Sequence, residues 1–219
     1  IVIVEPNSSN EVVGVAKNLN IPVCEMKIKK DDPSGLFNLF DIESKYQLPK
    51  ENDEGLVLHT SGTTSRPKIV PLTNKNIYSS AENISKSLNL SEVDHCLNIM
   101  PLFHIHGLIA ILAASIKSGA SVCASNGFNA LKFLELAKTE KITWYSGVPT
   151  MHQAILLRAE KNLELAKNLN LRLIRSSSAS LPPAVFEKLN SVFGCSVIEA
   201  YGMTEATHQM TSNPLPPEK

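Results

Sequence analysis

H-C-L-N-I-M-P-L-F-H-I-H-G-L-I-A-I-L-A-A-S-I-K-S-G-A-S-V-C-A, residues His95 to Ala124, is the stretch on which the fold turns. It opens with a strand-like run, His95–Met100, that Pro101 closes. Gly107–Ile116 follows and is apolar all round, so a helix there has to be buried. Gly119–Ala124 returns to a strand. A strand, a buried helix and a second strand form one βαβ unit, and such units imply a parallel sheet covered by helices.

Outward from this unit the alternation continues. Toward the C-terminus come a helix at Ala130–Lys138, a strand at Ile142–Ser146 and a helix that Pro149 opens and that runs to about Arg158. Leu171–Arg175 is a strand, Pro183–Val192 a helix and Ser196–Ala200 a strand. Toward the N-terminus, Thr73 caps a helix reaching about Leu88, preceded by a short return strand at Ile69–Leu72 and a buried strand at Gly55–His59. Ile1–Val4, Glu11–Leu19 and Ile21–Met26 make a further βαβ unit. Residues 29–54, with Asp31, Asp32, Pro33, Gly35 and Pro49, read as a connector. The expected class is α/β with doubly wound sheets, divided into residues 1–52, the end of a first lobe plus connector, and residues 53–219, a second lobe.

Composition narrows the function. The 219 residues are 43 % hydrophobic, enough for a core, and carry 21 basic and 21 acidic side chains. A net charge of zero offers no basic field to nucleic acid or an anionic membrane. The longest apolar stretch, Gly107–Ile116, is far below the ~20 residues that span a bilayer. Cys24, Cys96, Cys123 and Cys195 are scattered without metal-ligand or disulfide-framework spacing and read as packing residues of a reducing compartment. The expected location is therefore cytoplasmic, with a peroxisomal address as the alternative. The chain begins at Ile1, inside a strand-like run, and ends on Pro214-Leu215-Pro216-Pro217, which reads as a piece of something longer.

Three polar stretches follow predicted strands, where open α/β sheets bind ligands. Thr60-Ser61-Gly62-Thr63-Thr64-Ser65-Arg66-Pro67-Lys68 combines five hydroxyls, a glycine and two cations, a composition suited to phosphate oxygens. Its spacing is not that of a Walker A loop, which argues against a P-loop kinase. The other two stretches are Arg175–Pro182 and Tyr201–Glu205.

T-S-G-T-T-x-x-P-K resembles the phosphate loop of the adenylate-forming superfamily, which includes acyl-CoA synthetases, peptide-synthetase adenylation domains and luciferases. Tyr201-Gly202-Met203-Thr204-Glu205 is similar to that family's second signature, and Pro101-Leu102-Phe103-His104 with Gly107 to its third. Ser65, Ser176-Ser177-Ser178-Ala179-Ser180-Leu181 and Thr204-Glu205-Ala206-Thr207-His208 look like the oxalate–CoA ligase branch of plants and fungi. Two positions depart from the pattern: Ile69 stands where glycine commonly follows the lysine, and Gly202 where that branch often has alanine.

The resemblance implies the large N-terminal domain of such an enzyme, incomplete at both ends and without its small C-terminal domain. It implies ATP, Mg²⁺ and coenzyme A as the reacting partners of a small carboxylic acid, with no nucleic acid and no membrane span. By the same resemblance, Thr60, Ser61, Gly62, Thr63, Thr64 and Lys68 would hold the β- and γ-phosphates. Ser177, Ser178, Ala179, Ser180, Glu199, Ala200 and Tyr201 would form the adenine slot, followed by Gly202 and Met203. Thr204 would bind the α-phosphate and Glu205 the metal, a hard cation suited to a carboxylate oxygen. Lys68, Thr204 and Glu205 are the expected catalytic residues.

The histidines bear on the acid. His104, His106, His208 and Ser178 would make a polar acyl pocket that can host a second carboxylate, as in oxalate. His59 and His152 read as satisfied core residues. The expected activity is an ATP-dependent acid–CoA ligase working through an acyl-adenylate and releasing AMP and pyrophosphate. The alternatives are a 4-coumarate-like or medium-chain acyl-CoA synthetase, or a nucleotide-binding module without turnover.

Overall fold

A computed structural model of the chain describes residues 1–7, 11–27, 31, 38–39, 47–60 and 67–217. Its contacts divide into two units, Ile1–Leu48 and Pro49–Lys219.

The first unit holds β1 (Val2–Val4), α1 (Glu11–Asn18), β2 (Val23–Lys27) and β3 (Asn38–Leu39). β1 and β2 are parallel, as the first βαβ pattern requires, and β3 lies antiparallel on β2.

The second unit begins with a two-stranded antiparallel pair, β4 (Glu54–Thr60) and β5 (Lys68–Thr73). The sequence pattern implied a buried strand at Gly55–His59. Instead, β4 alternates between exposed and half-buried residues, because a lone pair of strands has one covered face, and His59 is exposed rather than in the core. α2 (Asn74–Ser87) starts at the expected cap. The Thr73 hydroxyl accepts the Asn76 N–H at 3.2 Å, and the Asn76 side chain accepts the Thr73 N–H at 3.0 Å.

A six-stranded sheet follows, built from β6 (His95–Asn98), β7 (Ser121–Ala124), β8 (Trp144–Gly147), β9 (Leu173–Ser176), β10 (Ser196–Met203) and β11 (His208–Ser212). Its order is β11-β10-β9-β8-β6-β7, with every pair parallel except β10–β11. The strand order reverses between β6 and β8, the topological switch point of a doubly wound sheet.

Strand residues alternate between two cores, as a period of two dictates. Cys96, Trp144, Leu173 and Ile198 face α2 and the segment after β6, joining Ile84, Leu88, Ile109 and Ile111. Leu97, Tyr145, Ile174 and Val197 face the opposite layer. That layer is α4 (Phe133–Thr139), α5 (Pro149–Ala159), α6 (Leu163–Lys167) and α7 (Pro183–Phe193), whose Leu134, Ile155, Ala166 and Leu189 are buried there. Each leucine or isoleucine among them taken out of water contributes roughly 1.5–3 kcal/mol. His152 does sit in this core, its Nδ1 3.1 Å from the Tyr145 hydroxyl, and burial lowers its pKa to about 4. Cys24, Cys96 and Cys195 are buried and Cys123 is half-buried, and none of the four is in a disulfide.

The buried helix after β6 departs from α geometry. His106–Ala113 is a π-helix, and only Ala114–Lys117 (α3) has α-helical bonding. Gly107 stands in its first turn, where a Cβ would collide with the Pro101 carbonyl. At the N-terminal edge of the sheet Asp94 ties three strands together. It accepts Arg172 Nε at 2.7 Å and Nη2 at 2.8 Å, the Thr143 hydroxyl at 2.9 Å and the Ser91 N–H at 3.0 Å.

Candidate functional site

Two cavities open where strand ends come together in the second unit. The first, of about 730 Å³, is lined by Ser178, Ala179, Ser180, Glu199, Ala200, Tyr201, Gly202 and the segment Thr211–Pro214. The second, of about 360 Å³, is lined by Thr60, Lys68, His104, Ile105, Ser178, Gly202, Met203, Thr204, Glu205 and His208. Ser178 and Gly202 belong to both walls, so the cavities adjoin.

Most of the expected site residues thus fall on two adjoining walls. Ser61, Gly62, Thr63 and Thr64, with Ser65 and Arg66, lie outside the described residues. Ser177 is not on a wall: it is buried, and its hydroxyl donates to the Ala200 carbonyl at 2.8 Å, bracing β9 against β10. His106 is also corrected from wall to interior. It is fully buried, on neither wall, and its Nδ1 lies 3.0 Å from the Ser178 hydroxyl, which is on both.

The sequence pattern ends the strand at Ala200, with Tyr201–Glu205 directly after it. The strand instead runs on to Met203, because β11 turns back along it through Thr207 and His208, both at positive φ. A bulge between Tyr201 and Gly202 brings the His208 carbonyl onto Gly202, leaving no room for a Cβ. Tyr201 is 62 % exposed, with its ring available to the first cavity. The Glu199 carboxylate is occupied by the Leu181 N–H at 2.7 Å.

Several groups on the second cavity have no partner among the described residues. The Thr60 hydroxyl is buried and unbonded. Lys68 and Glu205 are exposed and make no ion pair there. One carboxylate beside hydroxyls fits Mg²⁺, which takes one or two carboxylates and completes its shell with phosphate and water. Among the described residues no group of three or more histidine, cysteine, aspartate or glutamate side chains could cage a metal by itself.

Behind the second cavity lies a buried polar cluster on the α2 side of the sheet. The Arg175 Nη1 donates to the Ser146 hydroxyl at 3.2 Å and lies 3.4 Å from His106 Nε2. Its Nη2 donates to Gln209 Oε1 at 2.9 Å and lies 3.4 Å from His208 Nδ1. His106 Nε2 is 2.7 Å from the Ser146 hydroxyl, and the two histidine rings are 4.9 Å apart. Burial first, then the neighbouring Arg175 charge, hold His106 well below its ordinary pKa and bring His208 to about 3. Both rings are neutral at pH 7. The His106 N–H donates to His104 Nδ1 at 3.2 Å, so a neutral His104 carries its proton on Nε2. Ser178, at the centre, has φ +70°, a left-handed backbone that side chains other than glycine rarely adopt.

Sequence reasoning put Arg175 at the head of the stretch Arg175–Pro182 without giving it a role, and passed over Gln209. The signal for the arginine was a second cation directly after Leu171–Ile174, a run that already holds Arg172, and nothing in it distinguished a cluster from a solvated strand end. β11 was missed because His208–Ser212 is short and polar.

A doubly wound sheet with adjoining cavities at its strand ends defines an α/β ligand-binding protein. The model of the AMP-binding enzyme family matches residues 2–219, and the chain belongs to that family. It is 49 % identical over 180 residues to the oxalate–CoA ligase of Arabidopsis thaliana, covering 81 % of this chain and 35 % of that protein. It is 44 % identical over 170 residues to the oxalate–CoA ligase of Saccharomyces cerevisiae, covering 78 % and 31 %. A malonyl-CoA ligase solved as a ternary product complex with methylmalonyl-CoA and AMP superimposes with a TM-score of 0.76 at 27 % identity, over 99 % of this chain and 46 % of that one. The chain spans about a third of the length of the curated relatives it matches. No helix among the described residues is long and apolar enough to cross a membrane.

Proposed function

We propose that the full-length protein is an ATP-dependent acid–CoA ligase that activates a small acid with two charged ends, oxalate first among them. The observation that carries this reading is the second cavity, whose lining joins Thr60, Lys68, Thr204 and Glu205 with His104, Ser178 and His208. The first set suits phosphate and the second a polar acid. A fatty-acid pocket would be lined by apolar side chains at those positions. The relatives named above support the choice, since oxalate and malonate are both short acids with two carboxylates.

In this reading ATP spans both cavities, its purine against Tyr201 and its phosphates toward Thr204, Thr60 and Lys68. A carboxylate oxygen of the acid bonds to the α-phosphorus, the bond from that phosphorus to the bridging oxygen breaks, and pyrophosphate leaves. Both reactants are anions, so catalysis rests on holding them in line and balancing charge. The Lys68 ammonium and the Thr60 and Thr204 hydroxyls do this on the phosphate side. Mg²⁺ held by Glu205 would add charge neutralisation there. His104 and the neutral His208 donate from their Nε2–H groups toward the acid. The coenzyme A sulfur then bonds to the acyl carbon and AMP departs. The location is cytoplasmic in this reading. The 219-residue chain by itself makes no thioester, since it spans only about a third of its relatives' length.

The test is acid-dependent ATP–pyrophosphate exchange and CoA-thioester formation by the full-length protein across oxalate, malonate, 4-coumarate, octanoate and palmitate. The expected result is oxalate first and malonate second. A preference for octanoate or 4-coumarate would overturn the choice of acid, and no exchange with any acid would overturn the ligase.

A further inference from the structure

Arg175 is fully buried, yet among the described residues its guanidinium meets no carboxylate. The ion pairs there are Lys86–Glu82, Arg172–Asp94 and Lys188–Glu160. The contrast with Arg172, three residues earlier and clasped by Asp94, is instructive: one arginine has its counter-charge built in and the other does not. The partners of Arg175 are a hydroxyl, an amide and two neutral imidazoles, and its Nε has none. Burial brings its pKa down to about 9, which still leaves it charged at neutral pH. A buried cation without a counter-ion is costly unless an anion arrives to balance it.

The cluster borders one cavity, and two of its members, His208 and Ser178, form part of that cavity's wall. We propose that Arg175 is the positioning residue for the distal carboxylate of a two-carboxylate acid, holding His208 by Nδ1 and Ser178 by way of His106, with its own charge balanced by the bound acid. This rests on the reading that the second cavity takes a small acid. It adds the source of the preference for two charges over one. A hydrogen-bonding pocket alone accepts an amide as readily as a carboxylate, whereas a fixed buried cation does not. With Nδ1 accepting from the arginine, His208 keeps its proton on Nε2 and donates to the acid instead of competing with it.

The experiment compares oxalate with oxamate, in which an amide replaces one carboxylate, in the full-length protein. Wild type is expected to favour oxalate by at least about tenfold in kcat/KM, the scale of one charge pair away from bulk water. Gln209→Glu sets a carboxylate 2.9 Å from Nη2 with little change in shape, supplying the missing counter-charge from within. It should lower the oxalate-to-oxamate ratio about tenfold, chiefly through the KM for oxalate, with the KM for ATP unmoved. Arg175→Met should act in the same direction, and Arg175→Lys should recover part of the preference. An unchanged ratio in folded Gln209→Glu would overturn the proposal, as would an equal fall in kcat on both acids, the mark of a purely structural residue. If Arg175→Met does not fold, Gln209→Glu decides alone. A wild type that prefers oxamate overturns the acid reading and this proposal together. A wild type that prefers oxalate, with an unmoved ratio in the variant, overturns only the role of the arginine.

Discussion

Asp94→Asn tests whether the far edge of the sheet is locked electrostatically. Asp94 is 2 % exposed, and its two oxygens share four donors at 2.7–3.0 Å. Oδ1 takes Arg172 Nε and Thr143, while Oδ2 takes Arg172 Nη2 and the Ser91 N–H. Asparagine keeps the shape, but whichever way it flips, its NH₂ faces an arginine nitrogen and one further donor. Hydrogen bonds to a charged partner contribute about 1.5–3 kcal/mol each. Part of that loss is offset, because Arg172 keeps the Leu88 and Asn89 carbonyls at 3.1–3.3 Å and stays over a third exposed. The net cost is about 3 kcal/mol, or roughly 6–12 °C in Tm for a chain of this size. Thermal unfolding followed by fluorescence of Trp144, the chain's one tryptophan, reads the sheet directly, since Trp144 adjoins Thr143 on β8.

The same substitution carries a pH signature. Burial pushes the Asp94 carboxyl up, but the bonds from Arg172, Ser91 and Thr143 outweigh it and hold the folded pKa below the ordinary value. The stabilisation is therefore present above the unfolded pKa of ~3.9 and is lost as pH falls through the folded one. The gap between wild type and Asp94→Asn should shrink as pH drops below about 4. A Tm change under about 2 °C at pH 7, or a gap that stays constant into acid, refutes the reasoning.

Three further outcomes are expected. Gly107→Ala drives a methyl into the Pro101 carbonyl and should cost about 1–3 kcal/mol, read as a lowered Tm. Ser178→Gly relieves a left-handed backbone and should raise stability by up to ~1 kcal/mol, while the KM for the acid rises because the pocket loses the Ser178 hydroxyl and its bond to His106; melting and kinetics on one preparation separate the two. Tyr201→Ala should raise the KM for ATP by about tenfold, the scale of one base–aromatic stack, and leave Tm nearly unchanged because the ring is 62 % exposed.

The legible part of the fold was the part governed by periodicity. β6, β8 and β9 and the helices Pro149–Ala159 and Pro183–Phe193 follow apolar patterns and proline starts that local physics sets. The π-helix at His106–Ala113 was not legible, because a run apolar on all sides is compatible with either hydrogen-bond spacing. The return of β10 into β11 was hidden for a different reason: it depends on Thr207 and His208 taking positive φ, which neither residue type announces. In the site, motif residues such as Tyr201, Thr204 and Glu205 were readable because they sit in a signature. Arg175 and Gln209 were not, because their meaning depends on a strand pairing of β9, β10 and β11 that no local pattern encodes.

The alternation of β9 between two cores carries one more consequence. Arg175 is one residue from Ile174, which packs among Ile155, Leu189 and Val197. A slip of β9 by a single residue would exchange them, thrusting a guanidinium into hydrocarbon and leaving Ser146 and Gln209 without their donor. Mispaired sheets that would otherwise compete in a stack of nearly equivalent apolar strands are thereby penalised. A cluster of polar side chains buried behind a cavity thus also proofreads the assembly of the sheet that carries it.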